Sequence, residues 1–177
     1  MSFYLQEVKP FDKNIEGIAF LDRDGTLNED SSGYTYKIES FKLLEWVIPG
    51  LRILKNFNFG FAIVTNQSGV GRNYFTKYEF ENFNRYLLEV LVKNGIEVNY
   101  ISACFHNPEL ESCECRKPNL KMITSVRSYT NTKNCILIGN SDSDKLTATE
   151  AKIAYMDCNS PTILEELQIW LMDRNDL

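Results

Sequence analysis

The sequence predicts an α/β domain, a parallel sheet covered by helices on both faces. Three observations carry this. Short runs of strand length alternate with longer amphipathic stretches. The runs are apolar throughout rather than alternating, as strands buried on both faces are. The polar residues with chemical potential follow directly after the runs, at what would be the carboxyl edge of such a sheet. The 177 residues and 44% hydrophobic content suit one domain, 1–177, with a full core.

Ile18 to Leu21 is the first strand and ends at Asp22. A helix follows from Ile48 to Asn56, with Pro49 in its first turn. Phe59 to Val64 is the second strand and runs into Thr65-Asn66. Thr76-Lys77-Tyr78-Glu79 matches a capping box and opens a long amphipathic helix to Lys93. Asn94-Gly95 is its stop signal. Tyr100 to Phe105 is a third strand, followed by a helix from Pro118 to Tyr129. Cys135 to Ile138 is a fourth strand, ending at Gly139-Asn140, and Ser143 to Lys152 is the next helix. Ile153 to Met156 is a fifth strand. Ser160 as N-cap and Pro161 in the first turn open a last helix through Trp170. Trp46 and Trp170 read as helix-packing residues, and Cys135 and Cys158 as small buried hydrophobes.

Composition removes several function classes. Lys and Arg number 19 against 24 Asp and Glu, a net charge of -5, which gives no electrostatic footprint for nucleic acid or an anionic membrane. No apolar run approaches the ~20 residues of a membrane span. Met1 to Lys13 carries no apolar targeting core. The expectation is a cytoplasmic protein, monomeric because no unexplained apolar helix face stands out.

After the first strand comes Asp22-Arg23-Asp24-Gly25-Thr26-Leu27-Asn28. A carboxylate at a strand end can attack phosphorus and form an aspartyl-phosphate. A second carboxyl two residues on can protonate a leaving oxygen and then activate water. Gly25 permits the tight turn that returns backbone N–H groups to a phosphate.

The second signal is a metal cluster. Cys104-Phe105-His106, six residues, then Cys113-Glu114-Cys115 contain three of the five cysteines and the one histidine. With no secretion signal, such clustering favours metal over disulfides. Three thiolates and an imidazole make a closed tetrahedral set, a structural zinc site. The loop runs into Arg116-Lys117, so zinc would stiffen the segment that aims them.

With these motifs in view, the chain resembles the haloacid dehalogenase superfamily of phosphatases from about Gly17 to Cys158. Asp22-Arg23-Asp24-Gly25-Thr26 matches its first signature, Thr65 in Val64-Thr65-Asn66-Gln67-Ser68-Gly69 the second, Lys117 in Cys115-Arg116-Lys117-Pro118 the third, and Gly139-Asn140-Ser141-Asp142-Ser143-Asp144 the acidic fourth. The resemblance implies Asp22 as nucleophile and Asp24 as general acid and base. It implies Thr65, Asn66 and Lys117 on the phosphoryl oxygens. A catalytic magnesium would be held by the Asp22 carboxylate, the Asp24 backbone carbonyl and the side chain at 140. The chain departs from the family there, with Asn140 where Asp is expected. One negative charge is lost, so magnesium should bind more weakly unless Asp142 or Asp144 compensates.

The zinc loop narrows the resemblance to the branch of heptose bisphosphate and histidinol-phosphate phosphatases, which lack a large cap. The segment Thr65 to Arg72, followed by Phe75-Thr76, is closer to the heptose enzymes, and the short zinc-loop interval to the histidinol-phosphate enzymes. A heptose 1,7-bisphosphate is the preferred substrate, with Arg72, Arg116 and Lys121 as candidate cations for its phosphates. Histidinol phosphate is the alternative, its amine calling for a carboxylate from Glu29, Asp30 or Glu109. Tyr34 and Tyr36, in Gly33-Tyr34-Thr35-Tyr36, are candidates for the pocket mouth. Removal of a nucleic-acid 3′-phosphate is a rival that the acidic balance disfavours. A rival of another class is a zinc-stapled interaction domain, inactivated at Asn140.

Overall fold

The computed structural model describes residues 2–30 and 34–173. Met1, Gly33 of the expected mouth loop and the last four positions of the 1–177 domain lie outside them. The strands are β1 Phe3–Glu7, β2 Gly17–Leu21, β3 Phe59–Asn66, β4 Tyr100–Cys104, β5 Cys135–Gly139 and β6 Ala154–Asp157. The helices are α1 Val47–Asn56, α2 Ser68–Gly71, α3 Lys77–Lys93, α4 Lys121–Arg127, α5 Asp142–Ala151 and α6 Ile163–Met172.

The strands form one sheet in the order β1-β4-β3-β2-β5-β6. All neighbours are parallel except β1, which runs antiparallel to β4 from Phe3 opposite Cys104 to Glu7 opposite Tyr100. The expected parallel sheet is present, and β1 adds an antiparallel edge strand to it. The residues of β1 are only half-buried or exposed, so they lack the continuous apolar run that marks the inner strands. β2, β4 and β5 are buried at every position.

Side chains of the inner strands alternate between two cores. Ala19 and Leu21 pack with α1, α3 and α6 through residues such as Leu51, Leu87 and Leu167. Ile18 and Phe20 face α4 and α5 through Met122, Val126 and Ala148. Burying each of the Leu, Ile, Phe, Met and Val side chains contributes about 1.5–3 kcal/mol, so the sheet centre is the rigid base on which the strand ends are fixed.

Helix boundaries follow local hydrogen bonds. The Thr76 capping box forms as the sequence predicts, with Glu79 N–H donating to Thr76 Oγ1 and Thr76 N–H to Glu79. Gly95, at φ 79°, follows the Asn94 C-cap. α5 begins one residue before the expected Ser143, because Ser141 is its N-cap and Asp144 closes a second capping box. α4 begins at Lys121 rather than Pro118, since Asn119 N–H closes a turn on Arg116 O at 2.8 Å. α6 begins at Ile163 rather than Pro161, because Ser160 and Thr162 both turn their hydroxyls onto Glu166. Trp46 donates through Nε1 to Thr26 O at 2.9 Å, and Trp170 meets Phe59 edge-on. Cys135 and Cys158 are buried.

Between β2 and β3, the described residues outside α1 form turns, the isolated bridges Asp24–Asn28 and Asn28–Leu43 and a single 3-10 turn at Ile38–Ser40, so among the described residues no cap domain covers the sheet edge there. Among the described residues, no helix is long and apolar enough to cross a membrane.

Candidate active site and metal centre

Four parallel strands deliver their C-terminal ends to one edge. There a pocket of about 240 Å³ is lined by Asp22, Asp24, Thr65, Asn66, Lys117 and Asn140, together with Asp30, Tyr34, Ser141 and Ser143. A larger cleft of about 480 Å³ lies elsewhere, between residues 42–46 and 158–164. Its acids are Glu29, paired with Lys42 at 2.6 Å, and Glu45, and none of Asp22, Asp24, Thr65 or Lys117 lines it.

Asp22 is anchored by its own N–H on Ile138 O at 3.0 Å. Its Oδ1 accepts from Lys117 Nζ at 2.7 Å. Lys117 Nζ also donates to Val64 O at 3.0 Å and to Asp144 Oδ1 at 2.5 Å. Burial raises the Asp22 pKa to about 6, against the pull of Lys117. Burial also works against the charge on Lys117, but Asp22 and Asp144 outweigh it and hold the ammonium protonated. Asn66 fixes the Lys117 backbone from both sides, accepting its N–H at 2.9 Å and donating to its carbonyl at 3.3 Å. The Asn66 side chain therefore serves Lys117 rather than only a phosphoryl oxygen.

The turn after Asp22 is held by Gly25 N–H on Asn28 O at 2.7 Å and Leu27 N–H on Arg23 O at 2.8 Å. Gly25 has φ +75°, and a Cβ there would sit 2.2 Å from Asn140 Nδ2. The positive φ requires glycine, and a side chain there would also displace Asn140. Asp24 accepts from Arg23 Nε and Nη2, from Asn28 Nδ2 and from Gln67 Nε2 at 2.6 Å. Gln67 Nε2 also donates to Thr65 Oγ1 at 2.9 Å.

Asn140 is exposed on the pocket wall, as its position after β5 predicts. Neither proposed substitute carboxylate stands in for it. Both oxygens of Asp144 are engaged, one by Lys117 and the other by Ser141 N–H and Oγ. Asp142 is exposed and does not line the pocket. Asp144 is instead a buried counter-charge for Lys117 and a helix cap.

The candidate cations fall outside the pocket lining. Arg72 is turned to Glu109, with Nη1 to Oε1 at 3.0 Å. Lys121 faces Glu114 at 3.8 Å and lies over the Phe3 ring. Arg116 is outside the lining too, and its Nη1 is buried without a hydrogen-bond partner. Tyr34 does line the pocket and meets Ser68 Oγ at 3.3 Å, whereas Tyr36 stacks on Phe75 and only packs. Of the three carboxylates considered for an amine, only Asp30 reaches the pocket. Ser141 and Ser143 escaped the sequence reading because hydroxyls in an acidic loop carry no spacing signal.

Beside this pocket stands the Cys/His cluster. The ligand atoms of Cys104, His106, Cys113 and Cys115 all lie within 4.8 Å of one another. Sγ of Cys113 is 3.6 Å from that of Cys104 and 3.7 Å from that of Cys115. His106 Nδ1 is 3.4 Å from Cys104 Sγ and 3.2 Å from Cys115 Sγ. A tetrahedron with zinc bonds of ~2.3 Å to sulfur and ~2.0–2.1 Å to nitrogen has edges of about 3.5–3.8 Å, so the set fits zinc. All four cysteine and histidine side chains are supplied with no disulfide among them. The loop abuts α2 so closely that a Cβ on Gly71 would lie 2.1 Å from Phe105 O.

The polynucleotide kinase 3 phosphatase family model matches residues 17–158. The chain is 38% identical over 116 residues to the D-glycero-beta-D-manno-heptose-1,7-bisphosphate 7-phosphatase of Escherichia coli K12, covering 62% of this chain and 60% of that one. The match thus spans about three fifths of that relative's length. It is 37% identical over 139 residues to the D-glycero-alpha-D-manno-heptose-1,7-bisphosphate 7-phosphatase of Campylobacter jejuni, covering 77% of this chain and 78% of the relative. In structure it is similar to a HAD-like phosphatase from Mesorhizobium loti, with TM-score 0.84, 22% identity, and 97% and 94% of the two chains covered. It is also similar to the D,D-heptose 1,7-bisphosphate phosphatase of B. bronchiseptica complexed with magnesium and phosphate, with TM-score 0.72, 21% identity, and 90% and 98% covered. The chain, with its sheet-edge carboxylates and its Cys/His loop, belongs to the polynucleotide kinase 3 phosphatase family and has the haloacid dehalogenase-like fold.

Proposed function

We propose that the chain hydrolyses a phosphomonoester with magnesium, through an aspartyl-phosphate on Asp22, and that the substrate is a heptose 1,7-bisphosphate. The observation that carries this reading is the convergence of Asp22, Asp24, Thr65 and Lys117 on one pocket. The names of the relatives supply the substrate class.

Asp22 attacks phosphorus in line, the bond from phosphorus to the sugar oxygen breaks, and Asp24 gives that oxygen a proton. Water then attacks the phosphorus of the aspartyl-phosphate while Asp24 takes a proton from that water. The bond to Asp22 breaks and phosphate leaves. Lys117 and Thr65 offset the charge that gathers on the phosphoryl oxygens. Asn66 and Asp144 keep Lys117 aimed. Asp22, the Asp24 carbonyl and Asn140 offer the hard oxygen donors that magnesium takes. When bound, the ion screens Asp22 from the anionic phosphate. Cys104, His106, Cys113 and Cys115 would hold a structural zinc, leaving no open position for chemistry. Arg116, with a spare donor beside Lys117 in sequence, is the candidate for a second phosphate.

One observation favours a second reading. Asp30 places a carboxylate on the pocket wall, as an amine-bearing ester such as histidinol phosphate would need. The test is phosphate release with magnesium from heptose bisphosphate, histidinol phosphate, a 3′-phosphorylated oligonucleotide and an aryl phosphate, with Asp22→Asn as the blank. Preferential turnover of the heptose ester supports the proposal. Preference for histidinol phosphate or for the oligonucleotide replaces the substrate. No release from any ester, at any magnesium concentration, replaces the enzyme with an inactive zinc-stapled domain.

A further inference from the structure

Arg23 is fully buried, the bulkiest side chain with no exposure among the described residues. An arginine brings its charge into an interior only at a cost, and a paired carboxylate is what offsets it. Here the partner is its neighbour in sequence. Nε donates to Asp24 Oδ1 at 2.9 Å and Nη2 to Asp24 Oδ2 at 2.8 Å, a two-pronged grip on both oxygens. The remaining donors go elsewhere. Nη1 donates to Asn84 Oδ1 on α3 at 3.1 Å, and Nη2 to Thr35 O at 2.7 Å. The guanidinium lies over the rings of Phe83 at 4.7 Å and Phe80 at 5.4 Å. Every one of these contacts fixes the plane of the guanidinium, and that plane orients the carboxylate, which Asn28 Nδ2 at 3.1 Å and Gln67 Nε2 at 2.6 Å hold on the same two oxygens.

Asp24 itself sits on the pocket wall with 18% of its side chain exposed. Thr35 is next to Tyr34, which lines the same pocket. So the loop that a leaving group would touch is tied, through Arg23, to the acid that would protonate it. We propose that Arg23 is a positioning residue: it sets the aim of the Asp24 carboxylate at the leaving oxygen and links that aim to the Tyr34–Tyr36 loop and to α3. The inference rests on the phosphatase reading above.

The readout is single-turnover release of the leaving group from an alkyl phosphate, which needs protonation, and from an aryl phosphate, which needs little. In Arg23→Lys the charge stays and the fork is lost. The alkyl rate should fall on the order of ten- to a hundredfold, up to the lower end of the ~10²–10⁴ that general acid–base catalysis contributes, while the aryl rate falls by no more than about threefold and KM changes little. Asn84→Leu covers the case in which Arg23→Lys does not fold. Asn84 does not line the pocket, and its Nδ2 has no hydrogen-bond partner. It should lower the alkyl rate about three- to tenfold and leave the aryl rate in place. An arginine that served only the fold would cost stability and lower both rates alike. Equal losses on the two esters, or no loss in folded variants, overturn the proposal. A wild-type chain that cleaves neither ester overturns the phosphatase reading itself, and the inference with it.

Discussion

Lys117 Nζ stands 2.7 Å from Asp22 Oδ1, joining residues 95 positions apart at the buried floor of the pocket. The ammonium also neutralises Asp144, which has no exposure of its own. Lys117→Met would leave two buried carboxylates facing one another. Breaking such a pair costs about 3–5 kcal/mol. Denaturant unfolding should show a loss of that size along with loss of activity. A variant as stable as the wild type would mean that the pair is not formed.

Asn140→Asp restores a charged oxygen beside Gly25, where a neutral amide now stands. The magnesium concentration for half-maximal activity should drop by about tenfold, the lower end of what ligand-set changes do to metal affinity. A titration of rate against magnesium reads it. An unchanged or higher value would remove position 140 from the metal site.

The purified protein should carry about one zinc per chain, as a closed four-ligand site implies. Cys113→Ser should lose the metal and loosen the segment through Lys117, lowering both stability and rate. Metal analysis and unfolding check this. Protein without zinc, with disulfides among Cys104, Cys113 and Cys115, would contradict the site.

Tyr155 donates its hydroxyl to Gly139 O at 3.2 Å, at the last residue of β5. Burial, with help from Asp157 and Asp144, raises its pKa from 10.0 to about 12. The folded chain therefore holds this proton more tightly than the unfolded chain. The stability is fully present below pH 10 and is lost as pH rises towards 12. Unfolding midpoints measured across that range should fall less steeply in Tyr155→Phe. An identical slope would show that the phenol contributes nothing.

The sheet and the site were legible in the sequence to different degrees. Asp22, Thr65, Cys104 and Asn140 were legible because each directly follows or ends an apolar run, so strand order alone places them at one edge. The Cys/His set was legible because thiolate chemistry demands close spacing. β1 was not, since an edge strand needs only one buried face and Phe3 to Glu7 has no full apolar run. Pairings between distant residues were also hidden. Asp144 reads as a metal acid in its motif, yet Lys117 and Ser141 take both its oxygens. Arg72 reads as a phosphate cation, yet its Nη1 is turned to Glu109 and it does not line the pocket. The motif assigns Arg23 no role of its own, and its burial and hydrogen bonds reveal the grip on Asp24.

The most direct test is to trap the covalent step. In Asp24→Asn the residue that activates water is gone, while an aryl phosphate can still leave unassisted. After acid quench with magnesium and aryl phosphate, mass spectrometry should find a phosphoryl group on the peptide that contains Asp22. It should be absent from the Asp22→Asn protein. A wild-type enzyme that turns over while no phosphoryl group is ever found on Asp22 would contradict the account.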